Sequence, residues 1–199
     1  MIEAVIFDIG NVLIGWQPER YYDRVLGEAR RKEVFAAVDL HEMNDRIDRG
    51  QSFQATIAAT AERYPAYARE IQMWHDVWMD LTGPVIDGSV QALRNLRAKD
   101  VPVFALSNFG IETFAMSEEV YPFQMEFDRR YISGHMGVVK PDPEIYRQVE
   151  ADCGIAPERL LFADDRPENI AAAEARGWQG HLFDGPDGWL ARLEAEGLL

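Results

Sequence analysis

Apolar residues occur along the chain in two arrangements that alternate with each other. Short continuous apolar runs are typical of buried strands, and apolar residues three or four positions apart are typical of helices that bury one face. Five runs predict strands, at residues 4–7, 101–106, 131–132, 160–163 and 181–183. Helical patterns lie between them, at residues 85–98, 143–153, 167–176 and 189–196. This alternation predicts an α/β fold, in which crossover helices connect the strands of a parallel sheet.

A long region without a convincing strand follows the first run. It contains apolar residues at helical spacing, and Pro18 and Ser52 stand where proline and serine commonly begin helices. Asp48-Arg49-Gly50-Gln51 interrupts the pattern, and Gly83-Pro84 ends it. Residues 16–82 are therefore predicted to form an insert of four or five helices, and residues 1–15 and 83–199 are predicted to form the α/β core.

Three of the predicted strands end in polar residues that could carry chemistry. Asp8 follows the first strand, Ser107-Asn108 follows the second, and Asp164-Asp165 follows the run at 160–163. The carboxyl ends of parallel strands lie at one edge of a sheet, so we expect these residues to meet there. Three neighbouring carboxylates repel one another unless a cation lies among them, and a magnesium ion (Mg2+) suits oxygen ligands.

Overall charge limits which partners the chain can bind. The 199 residues carry a formal charge of −14, which disfavours nucleic acids and anionic membranes. A phosphorylated small molecule would need a local positive site. Lysine is scarce, and Lys140 lies in a polar loop where it could supply part of that charge.

These residue types suggest phosphoryl transfer. Asp8 could attack phosphorus and form an aspartyl-phosphate. The Ser107 hydroxyl and the Asn108 amide could hold phosphoryl oxygens, and Lys140 could offset the developing negative charge. Taken singly, each residue also has an ordinary explanation as a turn or helix cap.

The metal would be held at Asp164-Asp165 and the residues that follow them. Asp165 would be the direct ligand there, and Asp164 or Asn169 would support it through water or a hydrogen bond.

Four segments resemble, in this order, the four motifs of the haloacid dehalogenase superfamily. They are Phe7-Asp8-Ile9-Gly10-Asn11-Val12-Leu13, Leu106-Ser107-Asn108, Lys140-Pro141-Asp142-Pro143 and Asp164-Asp165-Arg166-Pro167-Glu168-Asn169. The resemblance spans nearly the whole chain, and the helical insert stands where this superfamily has a helical cap. The first and fourth motifs resemble those of a bacterial sugar-phosphate phosphatase branch, of the α-D-glucose-1-phosphate phosphatase type.

The resemblance implies a Rossmann-like sheet in the order 3-2-1-4-5, a cap that closes over the site, magnesium, and hydrolysis through an aspartyl-phosphate. It assigns the nucleophile to Asp8, a phosphate-binding hydroxyl to Ser107 and the lysine to Lys140. It assigns metal ligation to Asp165 and to the backbone carbonyl of Gly10.

Gly10 also departs from the pattern of this superfamily. Most of its phosphatases have an aspartate there that acts as general acid and base, a contribution commonly worth about 10²–10⁴ in rate. Another group could replace it, such as Asp164 or a residue of the cap. Alternatively, the leaving group could depart without a proton, or the protein could be slow or inactive.

Two other functions stay open at this stage. A 2-haloacid dehalogenase would use Asp8 on carbon without a metal, but Asp164-Asp165 would then repel its carboxylate substrate. A catalytically silent module would bind a phosphorylated ligand. A phosphomutase is disfavoured by Gly10.

Substrate choice would depend on the insert. Seven of its residues are polar or aromatic enough to line a pocket, of which we expect one or two to touch substrate: Trp16, Arg20, His41, Arg46, Arg49, Trp74 and His75. The spacing of Trp74 and Trp78 favours the core of the insert. We expect a cytoplasmic protein, because Cys153 is the single cysteine and no leader or membrane-spanning stretch is recognisable, and a monomer or homodimer.

Overall fold

The computed structural model describes all 199 residues. Its strands, in chain order, are β1 (Ala4–Phe7), β2 (Ile14–Trp16), β3 (Thr82–Val85), β4 (Val103–Ser107), β5 (Arg129–Ile132), β6 (Leu160–Asp164) and β7 (Gln179–Leu182). Five of them form one sheet in the order β5-β4-β1-β6-β7, and all its pairings are parallel. When the strands of this sheet alone are counted, the order is 3-2-1-4-5, as predicted.

Helices make up most of the remaining structure. They are α1 (Pro18–Leu26), α2 (Glu28–Ala37), α3 (Leu40–Asp48), α4 (Phe53–Arg63), α5 (Ala68–Asp76), α6 (Asp87–Ala98), α7 (Ile111–Val120), α8 (Ser133–Met136), α9 (Pro143–Cys153), α10 (Pro167–Glu174) and α11 (Pro186–Ala195). Short 3-10 helices cover Pro65–Tyr67, Trp78–Leu81, Pro122–Glu126 and Pro157–Arg159. No helix of this fold combines the length and apolar character that crossing a bilayer requires.

The central strand β1 is buried on both faces of the sheet. Successive side chains of a strand point to opposite faces, and Val5 and Phe7 join one apolar cluster while Ala4 and Ile6 join the other. The first cluster includes residues of α6 and α11, and the second includes residues of α9 and α10. This two-sided cover explains why the strand is a continuous apolar run, and it leaves the carboxyl edge of the sheet open for a site.

Two predictions for the segments that border the insert are wrong. The apolar pattern predicts no strand at residues 14–16 and a helix from Val85, but β2 and β3 form an antiparallel ribbon in which Ile14 pairs with Val85. Helix α6 begins at Asp87. Strands of three or four residues are too short to show a period. A Cβ on Gly15 would lie 2.6 Å from the carbonyl oxygen of Gly83, so this close approach requires glycine.

Residues 17–81, which we call the helical insert, contain helices α1–α5 with their connecting segments and lie in sequence between the two strands of this ribbon. An aromatic cluster fills their interior: Trp74 and Trp78 are almost completely buried, as predicted, and Trp16 packs on Trp78 with ring centroids 4.8 Å apart. The insert also touches the core, because the backbone N–H of Phe53 donates to the carboxylate of Glu112. The insert therefore lies against the carboxyl edge of the sheet.

Candidate active site

Asp8 is held at the end of β1 with one carboxylate oxygen engaged and one free. Its backbone N–H donates to Ala163 on β6. Side-chain Oδ1 accepts hydrogen bonds from the backbone of Ile9 at 2.7 Å and from Ser107 Oγ at 2.6 Å, and it lies 3.0 Å from Lys140 Nζ. No protein group donates to Oδ2, so this oxygen is available to a ligand.

Lys140 is buried, and its ammonium has a complete set of acceptors. Nζ donates to the carbonyl of Leu106 at 2.9 Å and to Asp164 Oδ2 at 2.6 Å, in addition to the contact with Asp8. These three partners match the three hydrogens of the ammonium. Burial alone would lower the pKa of Lys140, but the charges of Asp164 and Asp8 outweigh it and raise the pKa. The lysine is therefore charged at neutral pH.

The pKa of Asp8 lies close to neutral pH. Burial raises the pKa of Asp8 to about 7, the positive charge of Lys140 opposes that shift, and the negative charge of Asp164 adds to it. A cation next to Asp8 would lower this pKa and favour the ionised, nucleophilic carboxylate.

Asp164 is committed to hydrogen bonds within the protein. Its Oδ1 accepts from the backbone of Arg166 at 2.8 Å and from Asn169 Nδ2 at 2.9 Å, and its Oδ2 accepts from Lys140. Both oxygens are therefore engaged, and the contacts fix the position of the lysine.

Asp165 is more open, and a residue that the sequence analysis did not assign to the site orients it. Asn11 Nδ2 donates to Asp165 Oδ2 at 2.9 Å, and Asn11 Oδ1 accepts from the backbone of Trp16 at 2.8 Å. Asn11 has φ 55°, a left-handed conformation that asparagine tolerates better than most residues. The Gly10-Asn11 turn was the available signal, but the partner 154 positions away could not be read from it.

The carboxylates of Asp8, Asp164 and Asp165 present oxygens that all lie within 4.8 Å of one another. An all-oxygen set of this kind fits a hard cation such as magnesium. The hydrogen bonds favour Asp8 and Asp165 over Asp164 as direct ligands, because both oxygens of Asp164 are already occupied. Gly10 lines the same cavity, where its carbonyl would be the predicted further ligand.

Ser107 and Asn108, the predicted phosphate-binding residues, both line the cavity and both also contact the other site residues. The Ser107 hydroxyl donates to Asp8 and would have to rotate to reach a phosphoryl oxygen. Asn108 Nδ2 donates to the carbonyl of Lys140 at 3.0 Å, and the Lys140 N–H donates to Asn108 Oδ1 at 2.8 Å. Asn108 thus positions Lys140 and keeps one amide hydrogen for a ligand.

The site opens into a polar cavity of about 710 Å³ between the sheet edge and the helical insert. Only 5 of its 26 lining residues are hydrophobic. Of the seven insert residues singled out in the sequence, Trp16, His41 and Arg49 line the cavity, and Arg20, Arg46, Trp74 and His75 do not.

The insert also contributes carboxylates that the sequence analysis did not single out. They are Glu19, Asp39, Glu42, Asp45 and Asp48. Asp48 alone among them is buried. Gly10, in contrast, leaves open space, since a Cβ there would meet no atom within 4 Å.

Curated relatives of the chain include phosphatases. The chain is 24% identical over 213 residues to D-ribitol-5-phosphate phosphatase of Bacteroides thetaiotaomicron, an alignment that covers 97% of both proteins. It is also 24% identical over 194 residues to drimenol cyclase drtB of Aspergillus calidoustus. That alignment covers 94% of this chain but 35% of the fungal protein, so the chain spans about a third of this relative.

Solved structures share the fold. The HAD family enzyme bt-2542 of Bacteroides thetaiotaomicron superposes with a TM-score of 0.79 at 22% identity, over 96% of this chain and 98% of that one. A variant of that enzyme with one aspartate replaced by alanine, in complex with magnesium and inorganic phosphate, superposes with a TM-score of 0.72 at 20% identity, over 93% and 95% of the two chains.

Family assignment rests on most of the sequence. A family model described as haloacid dehalogenase-like hydrolase matches residues 2–177, a range that includes β1, the helical insert, β4 and β6. The protein belongs to the haloacid dehalogenase-like hydrolase family.

Proposed function

We propose that this protein is a magnesium-dependent phosphatase that hydrolyses small phosphorylated metabolites through an aspartyl-phosphate on Asp8. One observation carries the proposal: a carboxylate with a free oxygen lies beside a buried ammonium and a second accessible carboxylate, at the floor of a polar cavity. These are the parts that phosphoryl transfer needs, namely a nucleophile, charge compensation and a cation site.

In this reaction Asp8 attacks phosphorus, and the bond to the leaving oxygen breaks. Lys140 and Ser107 stabilise negative charge around the transferring group, and Asn108 holds Lys140 in place. Asp8 and Asp165 would hold the metal, with Asn11 orienting Asp165. Magnesium, when bound, supplies positive charge that offsets both the carboxylates and the substrate phosphate.

The substrate class follows from the cavity. Its wall on the insert side is rich in carboxylates, which accept hydrogen bonds from hydroxyl groups and repel a second phosphate or a carboxylate. A monophosphate with a hydroxyl-rich leaving group fits best, such as a hexose 1-phosphate or a polyol phosphate. We propose that residues 16–82 act as the cap that selects it. The phosphatase named for D-ribitol 5-phosphate among the relatives supports this class.

A panel of sugar, polyol and carboxylate-bearing monophosphates tests the proposal by measuring phosphate release with magnesium and with EDTA. We expect turnover of sugar or polyol phosphates with magnesium, loss of that turnover in EDTA, and no turnover by Asp8→Asn. Retained phosphatase activity in Asp8→Asn would refute Asp8 as the nucleophile. Glu62→Gln is a control for the loss of a carboxylate from the insert, because Glu62 is exposed on α4 and does not line the cavity.

The same samples separate the alternative functions. Chloride release from 2-chloropropionate that persists in EDTA would indicate a dehalogenase. If beryllofluoride with magnesium stabilises the folded protein against unfolding but no phosphate ester is turned over, the protein is a silent binding module.

A further inference from the structure

Asp48 is the one ionisable residue of the helical insert that both lines the cavity and is buried. It ends α3 and is 6% exposed, whereas Asp39, Glu42 and Asp45 on the same wall are exposed. A buried carboxyl that faces a cavity needs an explanation, because burial of an ionisable group is costly.

The C-terminal end of α3 packs against the core. The carbonyl oxygen of Asp48 accepts a hydrogen bond of 2.6 Å from Ser133 Oγ. Two residues later, a Cβ on Gly50 would lie 2.6 Å from the carbonyl oxygen of Gly134. Asp48 is therefore held in a fixed place on the cavity wall that faces the sheet edge.

One oxygen of its carboxyl group has a partner in the protein and the other does not. Asn44 Nδ2 donates to Asp48 Oδ2 at 2.9 Å, and no protein group donates to Oδ1. Trp74 Nε1 donates to Asn44 Oδ1 at 3.2 Å, which fixes the orientation of the amide. Because Asn44 Nδ2 is a donor, a proton on this carboxyl belongs on Oδ1, the oxygen without a protein partner, and Asp48 lines the cavity.

That proton is present at neutral pH. Burial raises the pKa of Asp48 to about 8, the charges of Asp45 and Asp8 add to the rise, and the backbone N–H of Gly110 and the hydrogen bond from Asn44 oppose it. Asp45 and Asn44 belong to the insert, and Asp8 and Gly110 belong to the core.

Expulsion of an alcohol from a phosphate ester requires a proton donor, and the other candidate groups at the site are unsuitable. Asp164 has both oxygens in hydrogen bonds, and Asp165 is the proposed metal ligand. His41 is exposed and pairs with Glu19 at 2.7 Å. Gly10 has no side chain to offer.

We propose that Asp48 protonates the leaving oxygen, so that the acid–base group of the active site comes from the helical insert. This inference rests on the phosphatase function proposed above. As Asp8 attacks phosphorus, the bond from phosphorus to the leaving oxygen breaks, and that oxygen takes the Asp48 proton to become an alcohol. The Asp48 carboxylate then takes a proton from water as the water attacks the aspartyl-phosphate. Phosphate departs, and Asp8 and protonated Asp48 are restored.

Leaving-group dependence tests the assignment, because nitrophenolate departs without a proton and an alcohol does not. We would compare p-nitrophenyl phosphate with D-ribitol 5-phosphate, or the best alkyl phosphate of the panel, in wild type, Asp48→Asn and Glu62→Gln. For Asp48→Asn we expect turnover of the alkyl phosphate to fall by about 10²–10⁴-fold. The pre-steady-state burst of nitrophenolate should stay within about tenfold of wild type, and Glu62→Gln, at an exposed position of α4 outside the cavity, should resemble wild type in both measurements. For the wild type, kcat/KM with the alkyl phosphate should decline above pH 8, because Asp48 then loses its proton. This decline should be absent in Asp48→Asn.

Other outcomes identify which idea fails. Equal losses with both substrates would show a structural role and overturn the assignment, as would unchanged rates with both. A wild type that releases phosphate from neither compound would overturn the proposed function and this inference together. Urea unfolding of Asp48→Asn shows whether the variant folds. If it does not, Asp48→Glu replaces it, and the same comparison between the two substrates decides.

Discussion

Substitution of Asp48 by asparagine should change how the free energy of unfolding depends on pH. The folded protein holds the Asp48 carboxyl in a buried place that disfavours its charged form, while the unfolded chain exposes it to water. Between the two pKa values the native state keeps a proton that the unfolded state releases. The free energy of unfolding therefore falls as pH rises through this window, and an uncharged asparagine side chain at this position would carry no such cost.

The size of the effect follows from the two pKa values. The pKa of Asp48 is about 8 in the folded protein against an ordinary value of 3.8. Since one pKa unit corresponds to about 1.4 kcal/mol, the wild type loses up to about 4 kcal/mol between pH 5 and pH 8 from this group. Asp8, whose pKa is raised to about 7, adds a similar trend. That contribution is common to wild type and variant and largely cancels in their difference.

Urea unfolding in EDTA at pH 5, 6, 7 and 8 measures this difference. We expect the stability of Asp48→Asn relative to wild type to increase by about 1–4 kcal/mol from pH 5 to pH 8. Glu62→Gln, at an exposed position of α4, should show no comparable trend. A difference between Asp48→Asn and wild type that is constant with pH, or that falls as pH rises, would refute the view that Asp48 is buried in its neutral form.

Three further substitutions test the site. Lys140→Met should lower the free energy of unfolding, measured with urea at pH 7, by about 3–5 kcal/mol, because it leaves buried carboxylates without their partner. The loss should be smaller at pH 5. Lys32→Met, at an exposed position, should leave the free energy of unfolding almost unchanged. A full loss at both pH values would contradict the electrostatic explanation. Asn11→Ala should raise the magnesium concentration for half-maximal activity by about 10–100-fold, with kcat at saturating magnesium largely kept; an unchanged requirement would exclude Asn11 as the residue that orients Asp165. Gly10→Asp should fold with a free energy of unfolding within about 1 kcal/mol of wild type, since the site has room for the side chain. Combined with Asp48→Asn, it should raise alkyl phosphate turnover at least about tenfold above that of Asp48→Asn alone. If turnover does not recover, loss of a proton donor is not the reason that Asp48→Asn is slow.

Much of the scaffold was predictable because its signals are local. Ala4–Phe7 and Leu160–Asp164 are buried on both faces of the sheet, which explains their continuous apolar runs. Asp8 follows the first run, and Asp164 ends the second. Once the strands are parallel neighbours, those aspartates have to lie together at one edge. The ribbon of β2 and β3 gave no such signal, because a three-residue strand is stabilised by its partner and not by its own pattern.

The sequence by itself determined the α/β scaffold and the presence of Asp8 and Asp165 at one edge, since strand periodicity and strand ends are properties of nearby residues. Lys140 lies in a loop, and the motif resemblance assigned it to the site. Only the tertiary structure decided which carboxylate oxygens are free, that Asn11 orients Asp165, and that Asp48 is buried on the opposite wall. The physical reason is that desolvation and hydrogen bonding depend on contacts between segments far apart along the chain. An aspartate can be a solvated turn residue, a metal ligand or a neutral acid, and the groups that pack against it decide which.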